Sequence, residues 1–325
     1  MSLTLDDLFS RPEHYLHSLD GSYAVFVPMD RAAYTRSIFL DRRIEPAAPT
    51  VLRIPLEILL DAGEGRPSRC SWIFHVAHCG STLLARALDA LGDGGNGLVL
   101  REPLALRQAA IAGDHAALLL IVRMLAKRYP GSPHTVVKAN VPVNFVIPEI
   151  AASSPDAAAI FLYYGLEDYL LAILRSENHR AWLRRVTGEL APRLGDLAQA
   201  SDAERAAALW LAQLRIFGAG VRAMPSARTL DAERFFAAPT NVLSAAAALF
   251  ELQCSAARLE AVVEGPLFRT YAKNPALAFD NDARVERQNA LQLELGPELA
   301  AARSWLAREE PDLSALVDHL KARAL

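Results

Sequence analysis

Short apolar runs alternate with longer segments of helical spacing over most of the chain, and the first 70 residues break that rhythm. From residue 71 the runs read as strands: Ser71 to Val76, Leu98 to Leu100, Thr135 to Lys138, Ala157 to Tyr163 and Ala227 to Leu230. Each is short and rich in branched or aromatic residues, the pattern of a strand covered on both faces. Between them the spacing predicts helices from Leu83, near 104–112, over 115–129 and 143–152, from about 167, and over 202–222. A glycine-rich turn is expected over Gly92 to Gly97, and the chain beyond 239 reads as mostly helical. Strands alternating with helices imply right-handed crossovers and a parallel sheet of about five strands with helices on both faces, an α/β fold.

Residues 1–70 read otherwise. Tyr23 to Val27 is a strand ended by Pro28, Val51 to Ile54 is a second, and Gly63 to Pro67 is a loop. The expected organisation is a small N-terminal extension with β structure over 1–70 and a main α/β domain over 71–325. About 65 residues with few aromatics make a marginal core, so the extension should pack on the main domain.

Composition narrows the class. Of 325 residues, 52% are hydrophobic and only 7% aromatic, and alanine runs such as Ala206 to Ala208 favour helix. A formal net charge of −3 argues against a basic nucleic-acid coat protein. Three cysteines are an odd number in a long chain and point to a reducing compartment. Asp6 and Asp7 are followed by no apolar signal segment, and no apolar stretch approaches the roughly 20 residues a spanning helix needs. A cytoplasmic protein without membrane or nucleic-acid partners is expected.

The most informative segment is Trp72 to Leu88. A buried strand, a turn holding Gly80, two hydroxyl residues and a helix make the layout of a phosphate-binding loop. N–H groups at the helix start face an anion, and the helix dipole favours it. Gly80 permits close backbone approach, and Ser81 and Thr82 add hydroxyls. It is not a Walker A loop: His75 stands at the first glycine and Ser81 at the lysine. The plain alternative is a capped strand–turn–helix with no ligand.

Ala77-His78-Cys79-Gly80-Ser81-Thr82-Leu83-Leu84 resembles the phosphate loop of the sulfotransferase family, approximately Pro-[Arg/Lys]-[Ser/Cys]-Gly-[Ser/Thr]-Thr-[Leu/Trp]. Leu98 to Pro103 is similar to that family's second strand ending in Glu-Pro, and Thr135 to Lys138 to its third strand ending in lysine. Ala159 to Ser176 occupies the place of the strand and helix that hold the donor's 3′-phosphate. Ala227 to Leu252 is similar to its late Tyr-Glu-Asp-Leu … Pro … Leu segment. The resemblance spans about 71–275 and implies a P-loop NTPase-like sheet of sulfotransferase type. It implies PAPS as donor and PAP as product, no metal, and transfer of a sulfuryl group to a hydroxyl or amine of a small-molecule acceptor.

The resemblance also implies roles. His78, Cys79, Gly80, Ser81, Thr82 and Leu83 would cradle the 5′-phosphosulfate. Glu102 would be the base and Lys138 would lie near the reacting sulfate. His78 would replace the usual cation or itself act as base, since imidazole titrates near neutrality. Two departures stand out. The loop has His78 where the family has Arg or Lys, and with Asp168 aligned, Tyr164 and Ala172 stand at the 3′-phosphate positions of Arg and Ser. Arg175 and Ser176, one turn beyond Ala172, and Lys273 are the substitutes. The missing ligands leave open a different phosphorylated donor, or a degenerate member that binds a nucleotide or partner without chemistry.

Each residue also has a plainer reading. Glu102 pairs with Arg101 or Arg107, Lys138 is an exposed strand-end lysine, and His78 is a packing residue. Arg175 to Arg180 with Arg184 and Arg185 is a solvated helix face. Trp182, Trp210 and Trp305 belong to the core or to an interface. Cys79 at a helix N-terminus has a lowered thiol pKa. His75, His78 and Cys79 on a strand–turn have poor metal-ligand spacing. The acceptor pocket is expected from the extension and the helices near 104–129 and 178–222.

Overall fold

The computed structural model describes residues 3–66, 69–92, 97–132 and 135–325. Most of the turn expected over Gly92 to Gly97 lies outside the described residues. The N-terminal part runs α1 (Leu5–Ser10), β1 (His14–Asp20), β2 (Tyr23–Pro28), α2 (Arg31–Arg36), β3 (Leu52–Pro55) and α3 (Leu56–Gly63). Its strands form an antiparallel sheet in the order β1-β2-β3. The main part continues β4 (Cys70–His75), α4 (Ser81–Leu91), β5 (Leu98–Arg101), α5 (Leu104–Ala112), α6 (His115–Leu125), β6 (Thr135–Lys138) and α7 (Ile147–Ser153). There follow β7 (Ala159–Tyr163), α8 (Leu166–Leu174), α9 (Glu177–Glu189), α10 (Ala191–Leu194), α11 (Asp202–Ala223), β8 (Ala227–Asp231), α12 (Ala232–Ala237), α13 (Pro239–Leu249) and α14 (Ala256–Val263). A hairpin, β9 (Thr270–Tyr271) and β10 (Asn274–Ala278), precedes α15 (Asn281–Glu294), α16 (Gly296–Glu309) and α17 (Leu313–Lys321).

The main sheet is parallel throughout, in the order β5-β6-β4-β7-β8. Every residue of β4, β5, β6 and β7 is buried, which explains why the strands read as continuous apolar runs with no polar face. Trp72, Phe74, Phe161 and Phe217 stack in a ladder with ring centres 5.1–5.5 Å apart, pinning β4, β7 and α11 together. α11 starts in a capping box between Ser201 and Glu204. The chain moves from β4 outward to β5, back to β6, then across β4 to β7. That reversal opens a crevice at the carboxyl end of β4, where open α/β sheets bind ligands.

Some expected elements differ. The helix expected over 115–129 stops at Leu125, and Lys127 beyond it turns its side chain into the N-terminal part. The segment expected as one helix over 143–152 is a 3-10 turn, Val141–Val146, followed by α7. Pro142 and Pro148 each remove a donor from the ladder. β1 escaped notice because its sequence, His-Tyr-Leu-His-Ser-Leu-Asp, does not alternate cleanly, and its register shifts between Leu16 and Ser18. α3 and the β9–β10 hairpin were likewise not expected.

The apolar residues of the N-terminal part, Tyr15, Phe26 and Tyr34 among them, are continuous with the core of the parallel sheet. Buried Arg101 at the end of β5 ties the two parts. Its guanidinium donates to the carbonyls of Tyr34, Ser37 (2.9 Å) and Ile38 (3.3 Å) and pairs with Asp89 at 3.0 Å. Leu40 N–H donates to the Arg101 carbonyl, and Leu104 N–H to that of Leu40. This pairing lays residues 39–43 across the carboxyl end of β5 and β6.

Candidate functional site

The loop between β4 and α4 is bent by three successive demands. Ala77, His78 and Gly80 all have positive φ, at 78°, 51° and 79°. Glycine suits position 80 for a second reason: a Cβ there would stand 2.7 Å from Phe236 Cζ, which would have to move. α4 then begins without a side-chain cap, so its first N–H groups are free for an anion. Gly80, Ser81, Thr82 and Leu83 line a cleft of about 340 Å³. The Thr82 hydroxyl is buried and has no hydrogen-bond partner among the described residues.

Beside this loop, β4 ends in His75 and β6 in Lys138, and Glu102 follows directly on β5. Lys138 is sealed from solvent and donates to Glu102 Oε1, while the Glu102 side chain keeps 18% exposure. Burial pushes the Glu102 carboxyl up, but Lys138, Lys273 and Arg43 together hold it below its ordinary value. Burial draws the Lys138 ammonium down, and Glu102 opposes this. Each charge has its counterion beside it. Glu102 has φ 57°, a strained setting for a side chain, and its N–H donates to the Lys138 carbonyl at 2.8 Å. Phe39 covers the pair, with Lys138 Nζ 5.6 Å from its ring centre and Arg43 stacked over the same ring at 3.9 Å.

His75 is buried, its Nδ1 accepting the Ala77 N–H at 3.0 Å and its Nε2 lying 3.9 Å from Glu102 Oε1. Sequence reasoning gave it no role beyond the metal question. The available signal was a histidine closing an otherwise apolar strand.

The far wall of the cleft carries cations. Arg175, Lys273, Arg284 and Arg287 line it. Arg284 is held by both oxygens of Glu233 (2.6 and 2.8 Å) and stacks 4.3 Å over Phe236. Arg175 reaches His179 and the Tyr271 hydroxyl at 3.3 Å. Lys273 and Arg287 make no ion pair among the described residues. The hairpin and α15 form this wall, and Arg86 of α4 anchors the hairpin through the Ala272 carbonyl at 2.8 Å.

The structure gathers His78, Gly80 to Leu83, Arg175 and Lys273 around one cleft, with Glu102 and Lys138 beside it. Several sequence readings need correction. Glu102 pairs with Lys138, whereas Arg101 takes Asp89 and Arg107 takes Glu189. Lys138 is wholly buried, not an exposed strand end. His78 is held well below its ordinary pKa by burial, Lys273, His179 and Arg175. Its ring packs 4.5 Å from His179 and edge-on against Trp182 at 5.1 Å.

Cys79 is buried, and burial pushes its thiol up to about 11, outweighing the helix N-terminus. Ser176 is exposed and does not line the cleft; its hydroxyl contacts His179 Nδ1 at 2.6 Å. Arg180 and Arg184 are spent on Glu298, Asp202 and Glu177. Tyr164 and Ala172 line the cleft. Trp210 is buried and donates to the Tyr164 carbonyl at 3.0 Å. Among the described residues no group of three His, Cys, Asp or Glu is placed to hold a metal ion, and no helix is long and apolar enough to cross a membrane.

No family model matches this sequence, and no curated protein matches it. Among solved structures, a sulfotransferase from Alicyclobacillus acidocaldarius is similar, with 14% identity over 78% of this chain and 99% of that one, at a TM-score of 0.41. The sulfotransferase domain from the curacin biosynthetic pathway is also similar, with 13% identity over 75% of this chain and 99% of that one, at a TM-score of 0.42.

Proposed function

We propose that the protein transfers a sulfuryl group from PAPS to a hydroxyl or amine of a small-molecule acceptor. The observation that carries this reading is the Lys138–Glu102 ion pair set beside an uncapped helix start in a cation-walled cleft. The residues present suit the donor. The opening N–H groups of α4 and the unpartnered Thr82 hydroxyl meet the 5′-phosphosulfate, and Arg175 with Lys273 meets the second phosphate in place of the absent Arg and Ser. The cleft volume lies in the ordinary range for small-ligand sites.

In the reaction, the acceptor oxygen forms a bond to sulfur as the bond from sulfur to the bridging oxygen breaks. The leaving phosphate keeps that electron pair, and Glu102 takes the acceptor's proton. Lys138 neutralises charge at the bridging oxygen. Glu102 is the accessible member of the pair and Lys138 the buried one, which matches a base that meets the acceptor and a cation that meets the donor. The remaining groups position the reactants.

Thermal shift with PAP, ADP, ATP with Mg²⁺, and sulfate tests the donor, because a ligand bound only by the folded state must stabilise it. A specific shift with PAP is expected. A shift with ATP and Mg²⁺ alone would replace the donor, and no shift with any of them would leave a fold without this chemistry. Radiolabelled PAPS against a panel of phenols, alcohols and amines then identifies the acceptor.

A further inference from the structure

His75 is used by none of the roles above, yet its placement is specific. Its Nδ1 accepts the Ala77 N–H at 3.0 Å, so the ring proton sits on Nε2. That Nε2–H is buried without a hydrogen-bond partner among the described residues. The Ala139 backbone acts on the ring, and the charged acceptor facing Nε2 is Glu102 Oε1 at 3.9 Å, about 1 Å too far for a hydrogen bond. Lys138 now occupies that same oxygen. Burial and the charges of Lys138 and Lys273 keep the imidazole neutral.

We propose that His75 is a positioning residue that takes over the Glu102 carboxylate when Lys138 turns toward the transferring group. An ion pair closed on itself serves neither partner's role. Lys138 must leave Glu102 to reach the donor, and a buried carboxylate left without a donor swings or is neutralised. The idle Nε2–H supplies the replacement with a movement of about 1 Å. The ring is well anchored for this. The His75 carbonyl accepts from Asn144 Nδ2 at 3.0 Å, and Asn144 donates in turn to Gln213 Oε1 at 2.9 Å. Because Nδ1 holds an N–H of the phosphate loop itself, one ring links the loop's conformation to the base.

The role of Lys138 at the donor rests on the proposed function, but the test does not. Proton–nitrogen correlation spectra of the ring nitrogens, with ¹⁵N-labelled histidine, read the His75 tautomer directly. In the wild-type protein at neutral pH, a neutral ring protonated on Nε2 is expected; an imidazolium or an Nδ1–H tautomer overturns the proposal. In Lys138→Met the Nε2 proton should move downfield as it bonds to Glu102, and Lys138→Met with Glu102→Leu should abolish that move. A resonance unchanged by Lys138→Met overturns the takeover. Lys138→Gln serves the same comparison if the methionine variant does not fold, and the wild-type tautomer remains decisive if neither does. If PAP fails to bind while these spectra hold, the donor reading falls and the partner exchange stands; if PAP binds and the spectra fail, the reverse is true.

Discussion

Lys127 provides the sharpest quantitative prediction. It lies just past α6, and its ammonium donates to the carbonyls of Leu8 (2.8 Å) and His14, with the Phe26 ring centre 5.5 Å away. Among the described residues no carboxylate bonds it. Burial pulls its pKa from 10.5 down to about 7, opposed only by Glu13. A shift of that size corresponds to roughly 4–5 kcal/mol against the charged form in the folded state. The folded pKa lies below the unfolded one, so between about pH 7 and pH 10.5 the unfolded chain holds more protons and stability rises with pH.

The neutral amine keeps two N–H donors, enough for both carbonyls, so deprotonation breaks no hydrogen bond. Lys127→Met removes the titration but orphans two buried carbonyls, at about 1–3 kcal/mol each. The two effects nearly cancel at neutral pH, so the slope and not the offset is diagnostic. Urea unfolding of both proteins should show the wild type gaining about 2.5 kcal/mol on the variant between pH ~7.5 and ~9.5. Parallel pH profiles would refute the account of this buried ammonium.

Three further outcomes are expected. Gly80→Ala forces a side chain into φ 79° and against Phe236, so PAP affinity should drop about tenfold or more with a lowered Tm, as calorimetry and thermal melts will show. Arg101→Met deletes the Asp89 pair and leaves the carbonyls of Tyr34, Ser37 and Ile38 without their donor; urea unfolding should register a loss of about 3–5 kcal/mol. Asp168 is pushed up to about 6 by burial, Glu233 and Asp231, against Arg284. Its folded pKa exceeds its unfolded one, so it erodes stability as pH rises from about 4 to 6. Asp168→Asn should flatten that part of the stability–pH curve, and an unchanged slope would show that the group titrates normally.

The strand–helix alternation was legible because burial on both faces keeps the middles of β4 to β7 apolar, with polar residues only at or next to their ends. The phosphate loop was legible through Gly80 and the hydroxyls after it. What the sequence does not display is partnership. That Glu102 meets Lys138 depends on β5 and β6 ending side by side, with Arg101 opposite Lys138, and no spacing along the chain encodes that register. At Cys79 the helix start alone would lower the thiol pKa, whereas burial dominates and raises it. The hairpin was hidden because β10 is exposed along its whole length and carries no apolar face to read.

Strain marks the same place that chemistry does. Among the described residues, the non-glycine positions with positive φ are Ala77, His78, Glu102 and Glu251. Three of these four lie within three residues of the carboxyl ends of β4 and β5, and His78 among them lines the cleft. Each such conformation costs about 1–3 kcal/mol and persists only where its surroundings over-determine it. At Glu102 those surroundings are visible: its N–H is bound to β6, its carboxylate to Lys138, and the residue before it is tied through Arg101 to residues 34–40. The N-terminal part therefore does more than cover the sheet. By holding Arg101 and laying Phe39 over Lys138, it fixes the backbone that carries the Glu102–Lys138 pair. Loosening that part should release the strain at Glu102 before it disturbs the sheet, and hydrogen exchange at the Glu102 amide should speed up in Arg101→Met while the amides of β7 stay protected.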